Sequence, residues 1–356
     1  MTRRTLLAGA AAAMPMAAAE PVKLPRRIRV GIIGFDGHAG EITGPLPQLP
    51  DVEVVAICDA NPGVLARQSK NARLAGAHQY SDYKEMLAKE QLDVAAVCNN
   101  NGERAAAVLA CLDKKLNVIA EKPLAITRKD YLRVKQEAQK HNIALGHLLP
   151  MRYDPSYQAL KKIVDSGVLG EIVQISSQKS YKAAPGVQWR INRATYGSTI
   201  LWIGIHMIDL MRWSTGREFM DATSWQTRVA MPELKDQENV TASVFKLDNG
   251  GLAMLRMDYL RPQTAATHGD DRMRIAGTKG VAEYMAATGV TLVTADQELH
   301  VVKDLPPRGE LFIDYLQATY NGKAPTITQS DIWKVNEITI AAHEAAETGK
   351  TVKVAS

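Results

Sequence analysis

From Arg27 onward, short runs of apolar and β-branched residues alternate with stretches of helical period. Arg29-Val30-Gly31-Ile32-Ile33-Gly34, Val52–Cys58, Ala77–Tyr80, Val94–Cys98, Asn117–Ala120 and Ile143–Gly146 read as six strands. Between them a helix opens near Asn61-Pro62, and Tyr83–Lys89, Gly102–Lys114 and Arg128–His141 carry helical spacing. Continuous apolar strands separated by helices predict a parallel sheet covered on both faces. With right-handed crossovers this is an α/β doubly wound domain over residues 27–150. Ligands of such sheets bind at the carboxyl ends of the strands. Downstream the pattern changes. Val240–Leu247, Leu252–Tyr259, Arg272–Ala276 and Val281–Tyr284 are strand-like, and Asp248-Asn249-Gly250-Gly251 is a hairpin turn signal.

Composition adds boundaries rather than chemistry. The 356 residues are 46% hydrophobic and 23% charged, and the formal charge of +5 is spread along the chain. No basic cluster points to a nucleic-acid partner. Thr2-Arg3-Arg4-Thr5-Leu6-Leu7 opens an Ala-rich stretch that ends in Ala17-Ala18-Ala19 before Glu20. The twin arginines, the short apolar run and the small-residue site predict a Tat-type export leader over residues 1–20, and so a periplasmic or secreted protein. The stretch falls short of the ~20 apolar residues of a membrane span. Thr199–Trp213, the next most apolar run, is interrupted by His206, Asp209 and Arg212, so no stable membrane anchor is expected. Cys58, Cys98 and Cys111 sit in apolar contexts without zinc spacing and read as buried thiols. His268-Gly269-Asp270-Asp271 resembles a metal cluster superficially, but adjacent acids point to opposite sides of a strand, and the segment reads as a turn.

The first strand runs into Gly34-Phe35-Asp36-Gly37-His38-Ala39-Gly40. Glycines at a strand end permit a tight turn and close backbone approach to a pyrophosphate, with the next helix offering free N–H groups. Read as G-x-G-x-x-G, the second glycine is Asp36 and the third Ala39. The register Gly34-x-x-Gly37-x-x-Gly40 keeps three glycines and is preferred. Asp59 closes the second strand, where a carboxylate binds an adenosine ribose. The acid favours NAD and disfavours NADP, whose 2′-phosphate it would repel.

At the fifth strand, Asn117-Val118-Ile119-Ala120-Glu121-Lys122-Pro123-Leu124-Ala125 resembles the Glu-Lys-Pro signature of the Gfo/Idh/MocA oxidoreductases, the relatives of glucose–fructose oxidoreductase and inositol dehydrogenase. The resemblance continues through Arg152-Tyr153-Asp154-Pro155, Gly167–Ile172, Trp189-Arg190, Gly197–Trp213, Gly277-Thr278-Lys279-Gly280, Asp314-Tyr315 and the closing helix Asp331–Gly349. It implies an N-terminal Rossmann domain, then an α+β domain with a large, mainly antiparallel sheet over residues 151–330, and a helix and tail over 331–356 packing back on the body. It also implies that one sheet face is covered by a second subunit, in a homodimer or tetramer.

The same resemblance implies site residues. Gly34, Gly37, Gly40, Asp59, Asn99, Glu121 and Lys122 would line the cofactor cleft, and Lys122 would steady a substrate oxygen beside the nicotinamide. His206 lies in a helical segment in which Trp202, His206, Asp209 and Trp213 share one stripe. An imidazole there suits proton transfer from a hydroxyl, with Asp209 one turn on to orient it. Arg152, Tyr153, Lys179, Trp189, Arg190 and Trp202 are candidates for a carbohydrate-like substrate.

The chain departs from the family pattern in places. Trp202 stands where an aspartate is usual, Cys98-Asn99-Asn100-Asn101 where Thr-Pro is usual, and Arg104 where a histidine is usual. The expected activity is NAD(H)-dependent hydride transfer at a sugar, polyol or glycoside hydroxyl. Glycoside cleavage by transient oxidation and elimination, and non-catalytic binding of sugar or nucleotide, are the alternatives.

Overall fold

A computed structural model of the chain describes residues 20–355; the leader expected over residues 1–20 lies, but for Glu20, outside them. The first sheet contains β1 (Ile28–Ile33), β2 (Val52–Cys58), β3 (His78–Tyr80), β4 (Val94–Val97), β5 (Asn117–Ala120) and β6 (Leu145–His147). Their order is β3-β2-β1-β4-β5-β6, with every pair parallel. β4 is buried along its whole length, which is why it reads as a continuous apolar run. The chain reverses direction across the sheet between β1 and β4, so their carboxyl ends flank the crevice in which such folds bind ligands.

The intervening helices are α1 (Gly40–Thr43), α2 (Pro62–Gln68), α3 (Tyr83–Lys89), α4 (Asn101–Asp113) and α5 (Arg128–Lys140). Asn61, Asp82, Asn100 and Thr127 cap the last four by accepting backbone N–H bonds, so the sequence fixes where each helix begins. α1 is a single turn, stopped at Gly44-Pro45. It has no macrodipole to offer a pyrophosphate, so the helix-terminus contribution expected there falls to the loop's own N–H groups.

After α6 (Pro155–Asp165) the chain enters β7 (Ile172–Tyr181), at the centre of a nine-stranded sheet. α7 (Arg193–Tyr196), a π turn over Ile200–Gly204 and α8 (Ile205–Thr215) come next. They lead to β8 (Phe219–Thr227), β9 (Val240–Leu247), β10 (Leu252–Asp258), β11 (Gly269–Gly277), β12 (Gly280–Met285), β13 (Gly289–Thr294) and β14 (Gln297–Val301). α9 (Leu311–Asn321), α10 (Gln329–Thr348) and β15 (Val352–Lys353) close the chain. β7 and β10 pair in parallel and the other neighbours run antiparallel. One face is packed by α6, α8 and α10 around Phe219, Phe245, Leu255 and Ile275. On the other, Trp225, Leu252, Met254 and Arg256 face outward. Among the described residues no helix is long and apolar enough to cross a membrane.

One boundary differs from expectation. Residues 311–321, assigned above to the second domain, pack on the first sheet: Leu311, Phe312 and Leu316 share a core with Ile28, Val30 and Ile32. α10 does the same on the other face, where Ile332, Trp333 and Ile340 join Val97, Val118 and Leu145. The first sheet needs cover on both faces, and α1, α2 and α3 are short.

Candidate active site

The glycine loop is shaped by the strands it crosses. Gly34 N–H donates to the Cys58 carbonyl at 2.7 Å and Asp36 N–H to the Cys98 carbonyl at 2.8 Å. Gly34 has φ +79°, and a Cβ there would sit 2.5 Å from the backbone of Asn99. Gly37 has φ +69°, and a Cβ would collide with Glu121 Oε1 and approach Trp202 Cη2 at 3.0 Å. Both positions therefore demand glycine. Gly40 has open space around it and no such demand.

Beside this loop a cleft of 510 Å³ is lined by Gly34, Asp36, Asp59, Asn99, Tyr83 and Lys84. Three features fit a dinucleotide: the cradle that a side chain at position 34 would fill, the buried and unpartnered Oδ1 of Asn99, and Asp59 at the end of β2. Burial raises the Asp59 carboxyl, against the backbone N–H groups of Asn61 and Phe35. Asp36 is raised by burial and by Asp59.

The crest is built on Glu121-Lys122-Pro123, whose Lys122–Pro123 bond is cis. Glu121 is fully buried; Oε1 accepts from the His38 backbone N–H and from His38 Nδ1 at 2.5 Å, and Oε2 accepts from Lys122 N–H at 2.7 Å. Burial would raise this carboxyl, but His38, Lys122 and Arg104 outweigh it and bring it down to about 2. Lys122 is 1% exposed; its Nζ donates to the Trp202 carbonyl at 2.6 Å and lies 3.1 Å from the centroid of the Trp202 ring. Burial holds its ammonium well below the ordinary lysine value, against the pull of Glu121.

The departures around α4 form one brace. Arg104 is buried and donates to the carbonyls of Asn99 and Pro123 (the latter at 2.8 Å) and to Asn101 Oδ1 at 3.0 Å. Asn101 in turn donates to the Tyr196 carbonyl at 2.8 Å. The guanidinium thus ties the end of β4 to the crest.

A cavity of 240 Å³ opens over the crest, lined by His38, Lys122, Trp202 and His206 together with Arg190, Tyr181, Tyr259 and His268. Trp202 meets Trp189 edge-on at 4.9 Å, and Arg190 stacks over both rings at 5.3 and 5.5 Å. Lys179, expected in the substrate cleft, does not line this cavity: it is fully buried, paired with Asp271 at 2.7 Å and 5.1 Å from the Tyr181 ring. His206 is 5% exposed, and its Nδ1 has no partner.

Three more expected residues lie elsewhere. Asp209 turns to Arg152, not to His206: its two oxygens accept from Arg152 at 2.6 and 2.8 Å. The 0%-exposed Arg152 also donates to Asp331 and to the Thr326 carbonyl, both at 3.0 Å. The stripe gave the direction of Asp209 to within a helical turn, but a buried carboxylate goes to the nearest guanidinium. Tyr153 donates to Asp314 at 2.7 Å and packs in the core under α9. Conversely His38, Tyr181 and Tyr259 line the cavity without having been singled out, and so does His268, whose segment was expected to be a turn and instead leads into β11. For His268 the available signal was the strand beginning at Gly269, which sends Asp270 to Arg272 and Asp271 to Lys179.

A parallel sheet with a glycine cradle at its switch point, and cations and imidazoles converging at its crest, define a dinucleotide-binding enzyme architecture. Residues 28–147 match the NAD-binding Rossmann-fold model of an oxidoreductase family, and residues 157–283 match its GFO/IDH/MocA C-terminal domain. The chain belongs to the Gfo/Idh/MocA oxidoreductases. An inositol 2-dehydrogenase of Salmonella paratyphi B is 29% identical over 195 residues, 54% of each chain. The chain thus spans about half the length of that relative. A myo-inositol 2-dehydrogenase of Thermotoga maritima is 26% identical over 276 residues, 76% of this chain and 79% of its own. A solved oxidoreductase candidate from Thermotoga maritima is 30% identical, covers 92% of this chain and 100% of its own, and superposes with a TM-score of 0.87.

Burial also sets an acid limit. His147 is 1% exposed, its Nδ1 at the Ala120 carbonyl and its Nε2 at Asn336, both 3.1 Å. Burial lowers it to about 3. The unfolded chain takes up this proton below pH ~6.5 and the folded chain does not, so stability is full above that value and falls as pH drops towards 3. At ~1.4 kcal/mol per pH unit, His147 alone removes about 3 kcal/mol by pH 4.5. His206, lowered in the same direction by burial and by Lys122, adds to this, and the raised Asp36 and Asp209 oppose it. Urea midpoints are expected to fall between pH 7 and 4.5, and His147→Gln to flatten the slope.

Proposed function

We propose that the protein is an NAD(H)-dependent dehydrogenase of a single-ring polyol or sugar. The observation that carries this reading is the convergence of Lys122 with two imidazoles, His38 and His206, on one small cavity beside the glycine cradle. The inositol dehydrogenases among its relatives support it. At 240 Å³ the cavity is smaller than the ~300–1,000 Å³ typical of drug-sized sites, which favours one ring over an oligosaccharide. The Trp202 and Trp189 rings, with Arg190, give an apolar platform for a sugar face.

Bound NAD supplies the hydride acceptor. Gly34, Asn99 and Asp59 would hold it, and the Asp59 carboxylate selects against a 2′-phosphate. The weakened hold of Lys122 on its proton makes Nζ a strong donor to a substrate oxygen as negative charge grows there. The hydroxyl proton passes to an imidazole of the cavity wall. Export through the N-terminal leader, and a homodimer or tetramer joined over the outward face of Trp225, Leu252 and Met254, belong to the same reading.

Purified full chain is to be mixed with NAD and a panel of inositols, pyranoses and glycosides, and NADH followed at 340 nm. NADH formed with NAD, and far less NADPH with NADP, is the expected result. Release of aglycone without net NADH would place the chemistry with oxidation–elimination instead. No turnover on any member, together with no affinity for NAD, would overturn the dehydrogenase reading.

A further inference from the structure

Trp202 removes a proton-exchanging group from the cavity wall, one turn before His206. The acid–base function then rests on the remaining imidazoles, and the two are not equivalent. His206 is enclosed, carries no carboxylate partner, and faces Lys122, Lys179 and His38. A proton held there would be a buried cation among cations. Asp209, the one acid of its helix face, is fully engaged by Arg152.

His38 is built differently. It occupies the tip of the glycine loop, with its side chain 29% exposed. Its Nδ1 is 2.5 Å from Glu121 Oε1, and its own backbone N–H donates to the same oxygen. A buried carboxylate that stays ionised accepts only, so Nδ1 carries the hydrogen and Nε2 is left free to take a proton. Gly37 makes the pairing possible, because a Cβ at that position would collide with Glu121 Oε1. The His38 ring stands edge-on to His206 at 5.1 Å and 83°. The charged and titratable groups around His38 are Glu121 and Lys122 from the end of β5, Glu41 from α1, His206 from α8, and Arg190 and His268 from the cavity lining. This is the arrangement in which a carboxylate fixes the tautomer and orientation of an imidazole base.

We propose that His38, oriented by Glu121, is the catalytic base that takes the proton from the substrate hydroxyl, and that His206 stays neutral as a hydrogen-bonding partner. The proposal rests on the dehydrogenase reading above. In the oxidation direction the carbinol C–H leaves as hydride to NAD+, which is reduced to NADH. The O–H bond breaks with its electron pair forming the C=O bond, and the proton moves to His38 Nε2. From there its partial exposure lets the proton leave to water, and Glu121 keeps its charge throughout.

The test uses the full chain and the variants His38→Gln, Glu121→Gln and His206→Gln. Three readouts are needed: the pH profile of kcat, NAD affinity from tryptophan quenching, and the imidazole nitrogen spectra of the protein without substrate. For His38→Gln we expect a kcat loss of about 10²–10⁴-fold, disappearance of the acidic limb, partial rescue by added imidazole and little change in NAD affinity. In Glu121→Gln kcat should fall as well, because the imidazole has lost the carboxylate that fixes its tautomer and orientation. His206→Gln should keep the limb. In the spectra, His38 should show an Nδ1–H tautomer that changes in Glu121→Gln, and His206 should stay neutral below the pH at which an ordinary histidine protonates. An acidic limb that survives in His38→Gln, or vanishes in His206→Gln, would overturn the assignment. If no substrate turns over and NAD does not bind, the dehydrogenase reading fails by that result, and the spectra still decide the pairing: a His38 without the Nδ1–H tautomer would refute it.

Discussion

Replacing Lys122 by methionine is expected to lower kcat by about 10²–10³-fold with NAD affinity little changed. The site explains both halves of that expectation. Nζ reaches the cavity over the crest, whereas the cradle of Gly34, Asn99 and Asp59 that would hold the dinucleotide lies in the neighbouring cleft. Stability should not fall with activity. The ammonium is 1% exposed and its direct partners are a carbonyl and an indole face. Exchanging a desolvated cation for an unbranched apolar chain of similar length is often neutral or stabilising, provided that no opposite charge is left alone. Glu121 is not left alone, since His38 and the backbone N–H of residue 122 remain on it. A methionine variant that keeps full turnover would remove Lys122 from the chemistry, and one that fails to fold would make it a structural residue.

The second large effect belongs to stability. Arg152→Met should cost about 3–5 kcal/mol, read from urea midpoints, because it strands the Asp209 carboxylate in the core. Asp209→Asn should be milder, since Asp331 and the Thr326 carbonyl still hold the guanidinium. The double replacement Arg152→Met with Asp209→Leu should recover most of the loss, as the two positions touch and their effects are not additive. Where the single variants fold, KM for substrate should be unchanged. A selective rise in KM would instead return Arg152 to the substrate cleft that its position in the sequence suggested.

That contrast shows what the sequence could and could not convey. β1, β2, β4 and β5 were legible because strands buried on both faces are continuous apolar runs with caps and glycines at their ends. β8 was not, since Phe219–Thr227 mixes apolar and polar residues on a sheet open on one side. β14 is exposed at every residue and carries no apolar pattern to read. The π turn over Ile200–Gly204 has no local signature and shows only in the fold. Among site residues, Lys122 was legible because a motif fixes it at a strand end. His38 was not, because its meaning comes from Glu121, 83 positions away in the chain. Asp209 was misread for the converse reason: periodicity gives the side of a helix, not the partner waiting there.

The packing of α9 and α10 on the first sheet bears on how the protein is made. Synthesis runs from the amino end, so β1 to β6 emerge long before Leu311, Phe312, Ile332 and Trp333, which complete their two cores. Until the last fifty or so residues clear the ribosome, the nucleotide half presents uncovered apolar faces. A fragment ending near residue 150 should therefore be poorly soluble by itself, and a nascent chain in that condition is a natural client for a chaperone.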